Sequence, residues 1–518
     1  MAEVCLTYLN YPQVKAIPLD DDLDLYDMPL LEYSSRYWGV HAKRELSAQS
    51  ISLALQLLQE YNSHISTQLI FKIEEYWEVE NLDTWYPFTG LHCASFLGIG
   101  EIVAALTEME CCHTNEVDLF GYTPLAWAAQ NGHEEVVKIL LGLGEVNPDQ
   151  SDRVFERTPL LHAAGGGHEA CVKILIGREE VDPNRPDYEG RTPLSHAADY
   201  GYGEVVKVLL EREEVNPDKP DNRGQTPLIY AAGNGYREVV KVLLEHKEIN
   251  PNEQDNRGRT PLSYAAGGWD RYCAERYARV VKMLLGHEEV NPDKPDNEGR
   301  TPLSYAAECG YEEVVKRLLG REEVNPDKPD NAGRTPFSYA SNNGKGEVVK
   351  SLLKCEEVDP NEPDNEGRTP LSYAAESGYG EVVKMLLGCE EVNPDKPDSM
   401  GRTPLRHAAG KGYGEVVKIL LRQEEDTLNE PDIWGRTPLS YAVAYGYGEL
   451  VKTLLGCEEV NPDKPDNEGR TPLSYAASNE QEEVVKTLLG REEVNPDKLD
   501  NEGRTPLSYA ASNEKGKW

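Results

Sequence analysis

Cysteine is scarce. Ten in 518 residues are too few for a disulfide scaffold, and no C-x-x-C pair offers a zinc knuckle. Basic charge is also short: 53 Lys and Arg against 91 Asp and Glu leave a net charge of −38, a field that repels phosphate backbones and anionic headgroups. Nucleic acid and membrane surfaces are thereby excluded as expected partners. No run approaches the roughly 18 unbroken apolar residues of a spanning helix, and the start Met1-Ala2-Glu3-Val4-Cys5 lacks the basic flank of a secretory signal. The expected location is soluble and cytoplasmic. Neither a phosphate loop, G-x-x-x-x-G-K-[ST], nor a nucleophile elbow, G-x-S-x-G, occurs, so the chain is expected not to be an enzyme and to need no cofactor, metal or small-molecule substrate. Phenylalanine is rare too, six against 28 tyrosines.

What the chain does have is a repeat, and a repeat decides a fold before any local assignment. Thr-Pro dipeptides begin at 123, 158, 192, 226, 260, 301, 335, 369, 403, 437, 471 and 505. The steps are 34 residues except for one of 35 and one of 41, and Thr89-Gly90 adds a start one step earlier. Residues 369–402 show the physics of one unit. Thr369 suits a helix cap followed by Pro370 at the first helical position, where its missing N–H is no loss. Leu371, Ala374 and Ala375 then share one face. Gly378 breaks this helix; Val382, Val383, Leu386 and Leu387 form the apolar stripe of a second, and Gly388 suits a left-handed cap at its end. The turn-forming stretch 392–401 projects as an extended finger. One unit cannot bury its stripes, but stacked units can, so the expectation is an elongated all-α solenoid.

Asp364, Gly367, Thr369, Pro370, Leu371, Ala374, Ala375, Gly378, Val383, Leu386 and Leu387 fill, in register, the pattern D-x-x-G-x-T-P-L-x-x-A-A-x-x-G-x-x-x-x-V-x-x-L-L. In this the chain resembles the ankyrin-repeat family over residues 89–518, about twelve repeats and a partial last one. The resemblance implies paired short helices with finger loops and a concave surface that grips a protein partner. The His usual after T-P-L is mostly Ser, as at Ser304, Ser372 and Ser474, although His92 keeps it; that weakens one bond between repeats. The finger 152–157 lacks its Gly and is expected to be misshapen.

Residues 1–88 fall outside the repeat and read as a small, mainly helical segment. The words at 5–9 and 31–42 resemble the connector between NACHT-type NTPase modules and ankyrin arrays in fungal signalling proteins. That resemblance implies a sensor arm of such a system, or alternatively a fragment of an NTP-driven (STAND-type) switch whose catalytic domain lies outside these residues. The acidic run 20–24 lacks the Gly and closing Glu of a calcium loop and reads as solvated.

Several side chains invite chemistry and also have plain structural readings. His162, His196 and His407 share one repeat position, otherwise usually Tyr, where packing against the next repeat accounts for them. Cys355, Cys389 and Cys457 share another and are expected to be free thiols. Arg precedes Thr in most units, from Arg191 to Arg504; each pairs with a finger carboxylate or the row reads an acidic partner. Positions that vary among copies are free to serve that partner. Fingertips are usually Asn-Glu, but Leu119-Phe120, Tyr188-Glu189, Ser399-Met400 and Ile433-Trp434 break the rule. Met400, Ile433 and Trp434, with Arg406, Lys411 and Tyr445, have the composition of a binding hot spot; alternatively Trp434 covers the irregular loop 425–428. Behind the 41-residue step, Trp269, Arg271, Tyr272 and Arg276 enlarge a loop that either binds or folds back on the next unit.

Overall fold

Each Thr of the repeat starts a helix by the same local chemistry. Thr369 is extended, its hydroxyl oxygen accepts the Ser372 amide at 3.2 Å, and Pro370 fills the first helical position of Pro370–Glu376. Ser372 returns a hydroxyl contact to Thr369 at 3.1 Å. The second helix, Gly380–Leu387, has no side-chain cap and is held by its buried face, Val382, Val383 and Leu386. Full burial of such a side chain contributes roughly 1.5–3 kcal/mol, which exceeds what a helix of eight residues gains from propensity alone.

In the computed structural model, residues 1–17, 29–44, 46–59, 61, 64, 88–109, 112–268, 274–422 and 428–512 are described. The acidic run 20–24 and the loop residues Trp269, Arg271 and Tyr272 lie outside them. Among the described residues all regular structure is helical, with 29 helices and no strand. They form two compact units, Met1–Asn256 and Arg257–Trp518. In the first, helices Ala2–Leu9, Pro29–Ala42 and Ala48–Leu58 bury Leu6, Leu9, Leu31, Trp38 and Leu57, and Ala48–Leu58 packs on the first repeat helices, Gly90–Leu97 and Gly100–Thr107. In both units each first helix packs on the first helix of its neighbour and each second helix on the next second helix. The expected all-α solenoid of helix pairs is the fold.

Glycine is required at two points of the period. Gly367 ends the finger turn at φ +81° and Gly378 ends the first helix at φ +79°. A Cβ on Gly378 would also come within 2.7 Å of the Tyr413 ring of the next repeat. The left-handed cap expected at Gly388 is not formed: its φ is −78°. The chain there continues through right-handed turns, Cys389 N–H to the Leu386 carbonyl and Val392 N–H to the Cys389 carbonyl, so the position needs no glycine, and Glu211 and Glu245 occupy it elsewhere.

The finger 152–157 keeps its pairing with one residue inserted. Asp152 N–H reaches the Arg157 carbonyl at 2.9 Å where Asp187 N–H reaches Arg191 in the next unit, and Glu156 takes the left-handed position at φ +57°. A non-glycine residue there costs about 1–2 kcal/mol, partly offset in the glycine variant by greater chain entropy when unfolded. Glu156→Gly is therefore expected to stabilise the chain by roughly 0.5–1 kcal/mol, read as a rise in the urea midpoint; a fall would show that Glu156 is not strained.

Candidate protein-interaction surface

The finger is organised by one buried carboxylate per repeat. Asp364 Oδ1 accepts the Glu366 and Arg368 amides at 2.9 and 2.8 Å, and Oδ2 accepts Arg368 Nε at 2.9 Å and the Tyr373 hydroxyl at 2.6 Å. The same set recurs at Asp330, Asp466 and Asp500. This accounts for part of the tyrosine excess, the Tyr at this repeat position, because phenylalanine has no hydroxyl to donate. It also locates the row of arginines: Arg334, Arg368, Arg402, Arg436, Arg470 and Arg504 each reach the finger Asp of their own unit. Arg300 instead bonds Glu308.

His162, His196 and His407 belong to this network. Their Nε2 atoms lie 2.9, 2.9 and 3.1 Å from Asp152, Asp187 and Asp398 of their own fingers. The His162 ring rests 4.6 Å from that of Tyr122, in the preceding repeat. The three histidines thus bond within their own units, and His162 also touches the unit before.

The environment acts in opposite directions on two of these carboxylates. Burial pushes the Asp330 carboxyl up, but the Tyr339 hydroxyl, the Arg334 amide and the Arg334 guanidinium outweigh it and hold the group below the usual carboxylate range. Asp118 lacks the arginine, since Tyr122 stands in its place. Burial then prevails over the Trp127 N–H, which donates at 2.8 Å, and the carboxyl is pushed up to about 6.

Successive fingers are joined at their tips. Asn365 N–H donates to the Ala332 carbonyl at 2.9 Å and its side-chain amide to the Asn331 carbonyl at 3.0 Å. Asn222, Asn256, Asn331, Asn467 and Asn501 donate the same side-chain bond to the finger before. Ser399 and Ile433 keep the backbone bond, to Glu366 at 2.8 Å and Met400 at 3.0 Å, but have no side-chain amide.

Over this seam the structure brings most of the expected residues together. Ile433 and Trp434 are 52% and 42% exposed, and Tyr445 is 61% exposed. The Arg436 guanidinium lies 4.5 Å from the Trp434 ring centre and 4.4 Å from that of Tyr441. Tyr441 stacks on Tyr445 at 6.2 Å. Arg406 does not stand out to solvent as expected: its side chain is only 11% exposed, 3.6 Å from the Tyr441 ring centre. It supports the surface from beneath. Lys411 is exposed and lies 3.8 Å from Glu376. Trp434 faces Arg436; residues 423–427 of the irregular loop lie outside the described residues. Arg276 is exposed on helix Ala274–Leu285.

The family model for ankyrin repeats (3 copies) matches residues 53–152, 142–221, 204–271, 271–330, 312–398, 389–466 and 441–517. The chain belongs to the ankyrin-repeat family. No curated protein matches it. Among solved structures it is similar to the ankyrin repeat domain of Bcl-3, described as a unique member of the IkappaB protein family, at 25% identity over 41% of this chain and 95% of that one, with a TM-score of 0.38. A score that low supports nothing further.

Within the ankyrin array, Arg436 is the residue of this surface that sequence reading placed elsewhere, in the arginine row. Its signal was available: an aromatic fingertip two residues before it. A comparable cluster stands in the other unit, where the Phe155 and Tyr188 rings are 5.9 Å apart and Arg157 lies 4.7 Å from the Phe155 ring centre. Val154, Phe155 and Tyr188 are exposed. Ser in place of His after T-P-L keeps only the local cap, whereas His92 Nε2 spans to the Glu116 and Tyr122 carbonyls at 3.1 Å each. Among the described residues no disulfide forms, no group of three His, Cys, Asp or Glu side chains is placed to hold a metal, and no helix is long and apolar enough to cross a membrane.

Proposed function

We propose that this ankyrin chain is a recognition module that holds a protein partner through Met400, Ile433, Trp434, Arg436, Lys411 and Tyr445. One observation carries the reading. At two successive fingertips the asparagine that joins neighbouring fingers has given way to Ser399 and Ile433, beside exposed apolar and aromatic side chains. A sequence that departs from its own stabilising rule at exposed positions marks a functional site, and here two successive departures coincide with exposed Ile433 and Trp434.

The double change Ile433→Asn, Trp434→Glu restores the ordinary tip. It is expected to raise stability by about 1 kcal/mol through the regained bond to the Ser399 carbonyl, and to weaken capture of a partner tenfold or more, since anchors of this type are worth ~2 kcal/mol or more. Asn467→Ala, Glu468→Ala serves as the control. Lower stability with unchanged capture would make the pair a packing feature. The stretch Trp269, Arg271, Tyr272 and Arg276 is the second element of this proposal, and Trp269→Ala tests it in the same assay.

The words shared with fungal NACHT-ankyrin connectors make a sensor arm the finer form of the proposal. In the rival reading the chain is part of an NTP-driven switch. No phosphate-binding loop occurs in the 518 residues, and micromolar ATP or GTP binding by this chain would favour the rival.

A further inference from the structure

The surface at residues 399–445 has an electrostatic character of its own. From Asp118 onward each finger contains the buried Asp; half of these finger-and-first-helix stretches add a Glu, as at Glu298, Glu366, Glu376, Glu468 and Glu502, and of the others only the one at Asp255, with Arg257 and Arg259, has a basic excess, smaller than that at Asp398. From Asp398 to Lys411 the chain instead sets Arg402, Arg406 and Lys411 against that Asp alone. His407 bonds the same carboxylate, 3.1 Å away. The next finger and first helix, 432–445, hold Asp432 and Arg436 and no other charge. In a chain of net charge −38 this is a positive island, and the apolar fingertips lie on it.

The buried aspartates pair with Arg402 and Arg436 from the finger side, and Lys411 lies 3.8 Å from Glu376, so four cations of this surface face two aspartates and one glutamate. Asp398 accepts from the Met400 and Arg402 amides at 2.9 Å each, so its oxygens face the finger. Asp432 does the same with Trp434 and Arg436 at 3.0 Å each. Lys411 and the edge of Arg436 remain toward solvent, their side chains 55% and 28% exposed. Guanidinium planes already stacked on aromatic rings are pre-ordered, so they lose little freedom when a carboxylate arrives.

Resting on the surface proposed above, we infer that the partner presents an acidic segment carrying aliphatic or aromatic side chains, the carboxylates meeting Lys411 and Arg436 and the apolar groups meeting Met400, Ile433 and Trp434. A basic segment is drawn to the rest of this acidic chain but is repelled here. Like-signed charge elsewhere on the protein keeps an acidic ligand off other faces, so the island also supplies selectivity.

The test uses the full chain and three fluorescein-labelled twelve-residue peptides that alternate Leu or Phe with Glu, Gln or Lys, read by fluorescence anisotropy. The Glu peptide is expected to bind at least tenfold more tightly than the Gln peptide, and raising NaCl from about 0.05 to 0.5 M should remove most of that difference. Lys411→Glu and Trp434→Ala should each weaken it about tenfold, with far-UV circular dichroism unchanged. Equal binding of the Gln peptide, tighter binding of the Lys peptide at this surface, or no binding of the Glu peptide at millimolar concentration overturns the acidic assignment while leaving a protein-binding surface intact. Binding of the Glu peptide that neither Trp434→Ala nor Ile433→Asn alters overturns the surface itself. A loss of helicity in Trp434→Ala is resolved by Ile433→Asn and Lys411→Glu, which change exposed groups only.

Discussion

Asp330→Ala is expected to destabilise the array by about 3–5 kcal/mol, the range for breaking a buried charge network by removal of one partner. The carboxylate accepts the Ala332 and Arg334 amides at 2.9 and 2.8 Å, Arg334 Nε at 2.9 Å and the Tyr339 hydroxyl at 2.7 Å. All four donors lose their acceptor in a site where Asp330 is buried. Because stability in a repeat array is summed over units and their interfaces, the loss should split urea unfolding into two steps, detectable by circular dichroism. Tyr339→Phe removes a single donor and should cost only ~1–2 kcal/mol. A shift for Asp330→Ala no larger than that of Glu298→Ala, at a fingertip, would show the network to be dispensable. The sign with pH follows from the same bonds. Asp152, Asp187 and Asp330 are held below the usual range, so their contribution is present above pH ~4 and is lost as acid protonates them in the fold.

The opposite pH response is expected from two other aspartates. At the far end of each finger an Asn or Asp touches the next repeat. Where it is Asn184, Oδ1 accepts the Asn216 amide at 2.7 Å and Nδ2 donates to the Glu214 carbonyl at 2.5 Å. Where it is Asp293 or Asp463, Lys328 or Lys498 of the next repeat reaches the carboxylate at 2.8 or 2.9 Å. Asp218 and Asp327 have neither arrangement. Asp218 accepts the Asn250 amide at 2.5 Å and faces Glu253 rather than a lysine, with His246 as the nearby basic group. Asp327 accepts the Asp359 amide at 3.1 Å and faces Glu362. Burial first, then the neighbouring Glu, pushes each carboxyl up to about 6.

A carboxyl raised in the fold above its unfolded value near 3.9 destabilises fully above pH ~6, and the loss is recovered as pH falls from there toward 4. Asp218→Asn and Asp327→Asn are therefore each expected to stabilise by about 2 kcal/mol at pH 7.5 and by almost nothing near pH 4. In the double variant the rise in melting temperature between pH 7.5 and 5 should shrink to the share left by Asp118, whose carboxyl is also pushed up to about 6. Hydrogen exchange at the Asn250 and Asp359 amides, which bond these carboxylates, should slow at pH 7.5 relative to the parent after correction for intrinsic rates. An unchanged pH profile in the double variant would show that these groups ionise as freely as exposed ones.

The period was legible in the chain because the same words recur every 34 residues, and the helix pairs and buried stripes because each depends on residues one to eight positions apart. Arg368 with Asp364 was also within reach, four residues away. Tyr373 with Asp364 was not: nine residues separate them, spanning a turn and a helix start, and no helical or strand period links the two. The junction partners are more distant still, 30 to 35 residues apart, and appear only when one repeat is laid on the next. At Gly388 the reading failed for another reason, since a glycine that ends a helix right-handedly and one that ends it left-handedly look the same in sequence. For the candidate surface, the fingertips were recognised by being unlike their copies, while Arg436 was hidden by being like them.

The junctions also set a grammar for copying. Bonds that run from a residue to its counterpart one period later survive the duplication or loss of a whole unit, which is how such an array grows. Unit order is nevertheless constrained. A copy ending in Asp is best followed by one carrying a cation, as Asp293 is by Lys328. Where a copy with Glu follows, as Glu362 does Asp327, the splice leaves a charge with no counterpart. Excision of residues 329–362 would bring Lys396 to Asp327 and mend that seam. The order of repeats in this chain thus records which neighbours could be tolerated as well as what the surface binds.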